Sequence, residues 1–182
     1  MKIQSKNILF NQSIVVEKAV LKAHGRTFPR YRVNRPDAVA IIVHNKKKKT
    51  IVLVKQYRYA IHDKIKGNIF EIPAGKIEGK DKPLATAVRE TYEECGYKIK
   101  SKNIKKIAEF FAAPGYTTEK FYLYYAVVSD EDKINKGGGL EEENEFIKVA
   151  EISEKKFKHM ASNTKIYDAK TLVGAQWFLI HK

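Results

Sequence analysis

Three acidic residues, Glu90, Glu93 and Glu94, are spaced i, i+3 and i+4, so a helix through them stacks three carboxylates on one turn. Like charges at that spacing destabilise a helix by roughly 0.2–0.5 kcal/mol per pair, so something must offset them. A hard divalent cation is suited to the task, because Mg²⁺ and Mn²⁺ prefer carboxylate oxygens. The alternative is a solvated acidic face, the common fate of a charge run. Against it, the acidic turn is preceded by Gly75, closed by Gly96, and set in a chain with 35 Lys and Arg against 21 Asp and Glu. Cys95, the single cysteine, lies between Glu94 and Gly96. Acidic neighbours raise a thiol pKa, so it reads as a packing residue and not a nucleophile.

The elements that must position this turn can be read from periodicity and punctuation. Residues 13–22 alternate apolar and polar, and 27–33 resume an extended pattern after His24-Gly25-Arg26, which predicts a hairpin turning at Gly25. Residues 38–44 form an almost continuous apolar run, as expected of a central strand, and 51–57 return from the polar turn 45–49. A loop over 60–68 leads to a short strand, 69–72, ending at Pro73-Ala74-Gly75. After the loop 76–81, Pro83 suits the first turn of a helix whose buried stripe is Leu84, Ala87, Val88 and Thr91, with Gly96 as its C-terminal cap. Strands follow at 104–112 and 119–128, then a long polar loop over 129–144, a strand over 146–152, and helices opened by Ser153 and Asp168. Strands and helices intermingle, so the fold class is α+β, with mixed sheets sandwiched between helices.

Composition narrows the function. At 43% apolar and 11% aromatic the chain is globular, with no run of eighteen apolar residues and no signal segment, which predicts a soluble, cytoplasmic protein. One cysteine excludes an intramolecular disulfide or a multi-cysteine zinc site. The net charge of +14 invites a nucleic-acid reading, but the six arginines (Arg26, Arg30, Arg32, Arg35, Arg58 and Arg89) are few for bidentate phosphate or base contacts. The lysines are spread through turns and helix surfaces, so nucleic acid is not the expected partner. A positive field would still gather a phosphorylated substrate.

Residues 75–97, Gly-x5-Asp-x7-Arg-Glu-Thr-x-Glu-Glu-x-Gly-Tyr, resemble the Nudix box, Gly-x5-Glu-x7-Arg-Glu-U-x-Glu-Glu-x-Gly-U with U apolar. Asp81 stands where the pattern has glutamate, and Thr91 where it has an aliphatic residue. The resemblance implies an α/β/α sandwich and a catalytic metal, Mg²⁺ with Mn²⁺ as the alternative. It implies Glu90, Glu93 and Glu94 as ligands with the Ala74 carbonyl, and Arg89 as the residue that holds a glutamate of the helix in place. Glu71-Ile72-Pro73-Ala74-Gly75, Ala113-Pro114-Gly115-Tyr116-Thr117-Thr118-Glu119 and Glu142-Glu143-Asn144-Glu145-Phe146-Ile147 narrow the likeness to ADP-ribose pyrophosphatases and related nucleoside diphosphate sugar hydrolases. Within that group the resemblance makes Glu143 the catalytic base, with Glu145 second.

Substrate contacts carried over from the same group are Arg58, Glu71, Tyr57, Pro114, Gly115 and Glu119, with Tyr59, Phe70 and Tyr116 as further candidates for stacking on a base. Residues 1–36 match a β-rich N-terminal extension that builds a homodimer in these enzymes, leaving 37–182 as the hydrolase domain. The expected activity is Mg²⁺-dependent cleavage of ADP-ribose to AMP and ribose 5-phosphate. The alternatives are a UDP- or GDP-sugar, since the Gly137-Gly138-Gly139 run resembles that of enzymes acting on hexose nucleotides, or a non-catalytic nucleotide sensor.

Overall fold

The computed structural model describes residues 1–139 and 146–182. The first three strands, β1 (Lys2–Asn11), β2 (Val15–Ala23) and β3 (Arg26–Asn34), form an antiparallel sheet of their own. Its tight β2–β3 turn places His24 and Gly25 at φ 48° and 74°, the two positive values that a two-residue hairpin with matching twist requires. Strand β1 was not expected from the sequence. All ten of its residues are exposed, so no buried face imposes an apolar alternation on it.

The larger, seven-stranded sheet is built on β4 (Ala38–Asn45), β5 (Thr50–Tyr57), β8 (Ile104–Phe111), β9 (Lys120–Val128) and β10 (Lys148–Ser153), in the order β10-β5-β4-β9-β8, with two short strands described below off this path. Strand β4 is buried at every residue, which explains its unbroken apolar run. Its alternate residues feed two cores. Ala38, Ala40 and Ile42 pack with Phe157 and Met160 of α2 (Glu154–Ser162) and Phe178 of α3 (Ala169–His181). Val39, Ile41 and Val43 pack with Ala87 and Cys95 of α1 (Pro83–Cys95). One helix therefore covers one face and two cover the other, the expected α+β sandwich.

Strands β4 and β5 pair only over Val43–Asn45 and Thr50–Val52 and then part company. The opening is filled by one crossing segment. Strand β6 (Asn68–Glu71) pairs with β5, and after Ile72-Pro73 the chain pairs with β4 as β7 (Ala74–Lys76), a strand where only a turn was expected. Pro73 donates no hydrogen bond, but its carbonyl accepts from Ile41 N–H at 2.9 Å, which pins the crossover.

The buried stripe of α1 also departs from expectation. Leu84 is exposed, and the buried positions are Thr86, Ala87, Glu90, Thr91, Glu94 and Cys95. The helix turns two carboxylates inward and leaves an apolar residue outside, the reverse of a helix placed by hydrophobicity alone.

At the far end of the large sheet the buried His44 bonds Tyr125 Oη and Glu154 Oε1, each at 2.7 Å, with its ring edge against Phe178. Burial disfavours the imidazolium, with a smaller contribution from the Lys46 and Lys182 charges, and outweighs Glu154, so the pKa lies below the ordinary 6.5. The unfolded chain then binds this proton more readily than the folded one. Stability is full above pH 6.5 and falls as pH drops below it toward the folded-state pKa. Urea midpoints measured between about pH 7.5 and about pH 5.5 should decline, and His44→Gln should flatten that slope.

Candidate active site

Helix α1 enters at Pro83 and stops at Gly96, which adopts φ 77° in the left-handed region. Between these ends Glu90 is 8% and Glu94 2% exposed, which removes the solvated-face alternative. Buried carboxylates need compensation, and both have it. Glu94 Oε2 accepts from the Ala74 N–H at 2.9 Å. Arg89 bridges the other two, Nη2 to Glu90 Oε1 at 2.8 Å and Nη1 to Glu93 Oε2 at 2.6 Å. Glu90 lies so close over Gly75 that a Cβ there would stand 1.9 Å from its carboxyl carbon. Glycine at 75 is thus a condition for the Glu90 position.

The donor set fits a hard divalent cation. It is all oxygen, buried on one side, and seated on a glycine cradle that a side chain would fill. Among the described residues no three His, Cys, Asp or Glu side chains already converge at ion-holding distance. Glu90 and Glu93 are instead engaged with the two arms of Arg89.

This turn forms one wall of a cleft of about 410 Å³, within the range of small-molecule sites. The same cleft is lined by a cluster of two cations and two carboxylates. Arg58 grips Glu71 through two parallel bonds, Nε to Oε1 and Nη2 to Oε2, each 2.8 Å. Lys170, nearly buried, also bonds Glu71 and reaches Asp168 at 2.9 Å. Burial would raise the Glu71 carboxyl, but the Arg58 hydrogen bonds and the Lys170 charge outweigh it and hold the group below the ordinary carboxylate value. Asp168 caps α3, accepting from Thr171 N–H at 2.9 Å, while Thr171 Oγ1 accepts from Ile72 N–H at 2.9 Å. The helix start is thereby fixed to the crossover beside β6. Phe110, Phe121, Glu119 and Arg35 also line the cleft, with Arg35 Nη2 3.4 Å from Glu119 Oε1.

Of the residues singled out in the sequence, the fold brings Arg58, Glu71, Ala74, Arg89, Glu90, Glu94 and Glu119 to this cleft. Glu93 stands beside it, tied through Arg89. Tyr57, Pro114 and Gly115 do not line it. Tyr57 is half exposed with its ring against His62, and Pro114 and Gly115 sit on an exposed turn. That turn is bonded to the small sheet, Val33 N–H to Tyr116 O at 2.7 Å and Thr118 N–H to Val33 O at 3.1 Å. Tyr59 and Tyr116 are also exposed outside the cleft, Phe70 packs on the core, and Asp81 is exposed. Glu143 and Glu145 lie outside the described residues. Sequence reasoning missed Arg35 and Lys170. Neither carried a local signal: Lys170 shares its helix with Thr171, Gln176 and His181, and nothing near Arg35 set it apart.

The sequence pattern of the NUDIX domain matches residues 34–169. A methanol dehydrogenase activator from Bacillus methanolicus is 33% identical over 159 residues, covering 87% of this chain and 80% of that protein. A GDP-mannose pyrophosphatase from Escherichia coli is 32% identical over 142 residues, covering 77% of this chain and 72% of that protein, and one from Shigella boydii matches to the same extent. The spacing of the acidic turn, its burial on a glycine cradle and these matches agree: the chain belongs to the Nudix hydrolase superfamily.

Proposed function

We propose that this Nudix hydrolase cleaves the diphosphate bond of a nucleoside diphosphate sugar, releasing a nucleoside monophosphate and a sugar phosphate. The observation that carries the reading is the cleft that brings buried Glu90 and Glu94 together with Arg58 and Lys170. Carboxylates able to hold a cation and basic groups able to meet phosphate oxygens thus line one cavity, which suits a dianionic link between two neutral groups. Nudix hydrolases use divalent metal ions, and Mg²⁺ (or Mn²⁺), when bound, would neutralise diphosphate charge and acidify water. Glu90, Glu93, Glu94 and the Ala74 carbonyl are the residues that would hold it.

The remaining work falls to the chain itself. Arg89 fixes the Glu90 and Glu93 rotamers, and the Ala74 N–H orients Glu94. Glu71 holds the Arg58 guanidinium in one plane, so its cost of ordering is met before substrate arrives. Glu143 removes the proton from the attacking water, with Glu145 as the substitute base. The similarity to GDP-mannose pyrophosphatases favours a GDP-hexose, and the motif 113–119 keeps ADP-ribose, cleaved to AMP and ribose 5-phosphate, as the second reading. The buried, compensated carboxylates weigh against a non-catalytic sensor.

We further propose a homodimer formed through the 1–36 extension on the 37–182 hydrolase domain. Its support is the exposed apolar surface of the small sheet, where Ile3, Ile8, Phe10 and Ile14 are all open to solvent.

A panel of GDP-mannose, UDP-glucose, ADP-ribose, NADH and a capped RNA, assayed with Mg²⁺ for phosphomonoester release, tests the substrate class; release from none of the sugar nucleotides would refute it. Glu94→Gln should lower turnover by about two orders of magnitude with folding intact, and near-normal turnover would remove Glu94 from the site. Gly75→Ala separates position from stability. Its Cβ displaces only the flexible end of Glu90, so turnover should fall about tenfold or more while the thermal midpoint moves by only a few degrees. Phe10→Glu should halve the mass read by light scattering, and an unchanged mass would place the dimer contact elsewhere.

A further inference from the structure

The last carbonyls of an α-helix have no partner inside it, and in α1 they belong to the residues that bear the acidic side chains. Tyr92 O is satisfied by the cap, Gly96 N–H at 2.9 Å. The next two are satisfied from a distant stretch of chain: Glu93 O accepts from Gly139 N–H at 3.2 Å, and Glu94 O from Gly138 N–H at 2.9 Å. The approach is main chain on main chain. A Cβ on Gly137 would lie 2.4 Å from Glu94 O and 2.7 Å from the Cys95 carbonyl carbon, and one on Gly96 would lie 2.1 Å from Asn135 O. Gly137, Gly138 and Gly139 have φ of 66°, 121° and 78°, so the run also needs glycine for its own conformation.

The strand of chain leading to these glycines is itself fastened. Lys98 N–H bonds Asp132 O at 2.8 Å, Ile134 N–H bonds Gly96 O at 2.8 Å, and Asn135 Oδ1 accepts from Gly137 N–H at 2.7 Å. Lys133 and Tyr97 both hold Glu151 of β10. The end of α1 is therefore docked against a rigid frame, while its inner face is docked on Ala74 and Gly75.

We propose that Gly137–Gly138–Gly139 is a positioning device for the acidic turn, acting through the backbone carbonyls of Glu93 and Glu94 to set where their carboxylates stand. The inference rests on the reading of those carboxylates as cation ligands. A helix end left to water frays within its last turn, and this turn is the one that must not move. The glycines do not line the cleft.

Mn²⁺ affinity, measured by electron paramagnetic resonance on the full chain without substrate, tests this alongside hydrogen exchange. Gly137→Ala should weaken Mn²⁺ binding about tenfold or more, the effect typical of losing a group that orients a ligand. Asn135→Ala, which releases only the Gly137 N–H, should fold even if Gly137→Ala does not and should weaken it about two- to threefold. Gly67→Ala is the control, because Gly67 has φ 88° with nothing within 4 Å, so it carries backbone strain without the contact. It should leave Mn²⁺ affinity unchanged at a comparable loss of thermal midpoint. In the wild type the Gly138 and Gly139 amides should exchange as slowly as the Gly96 amide. Unchanged Mn²⁺ affinity in both Gly137→Ala and Asn135→Ala, or fast exchange at Gly138, would overturn the positioning role and leave the hydrolase reading standing. Wild-type Mn²⁺ binding that Glu94→Gln does not reduce would overturn both.

Discussion

Two carboxylates buried on one turn of a helix are the constraint around which this fold is arranged. Burying Glu90 and Glu94 requires compensation, and the compensation arrives from separate parts of the chain. A main-chain N–H comes from β7, a guanidinium comes from the helix itself, and a glycine removes the side chain that would push Glu90 away. The two cores around β4 place these parts. One fixes α1 against the sheet, and the other fixes α2 and α3, the first turn of α3 supplying Lys170 to the cleft.

A second cluster in the same cleft solves the same problem with the sign reversed. Glu71, almost wholly buried, is a carboxylate spent on holding two cations, so that Arg58 and Lys170 face a common cleft despite their repulsion. The cleft thus presents charged groups of both signs, each already held by a partner of opposite charge or by a main-chain N–H. Such preorganised charge is effective because little rearrangement is needed when a phosphorylated ligand enters.

What the sequence disclosed follows the range of the interactions involved. The acidic turn was legible because its geometry is local: helical spacing puts Glu90, Glu93 and Glu94 together without knowledge of anything else. Strand β4 was legible because burial on both faces leaves no room for a polar residue before its end. Arg35 and Lys170 were not, since their place in the site depends on where β3 and α3 return in space. Leu84 misled for a related reason. Apolar spacing predicted the buried stripe, but compensated charge took the inward face. Strand β1, exposed along its whole length, had no one-sided burial to write a pattern into it.

The crossover from β6 to β7 has a consequence for how this fold can vary. Its register is set from both sides, by β5 over Asn68–Glu71 and by β4 over Ala74–Lys76, with only Ile72 and Pro73 between. Adding or deleting one residue there would invert the side-chain direction of one strand or the other, and would take either Glu71 or the Ala74 N–H away from its partner. The chain just before it, around Gly67, meets no such restriction. A longer approach to β6 would therefore reshape one rim of the cleft without moving the acidic turn, while the few residues between the diverging strands admit no change of length.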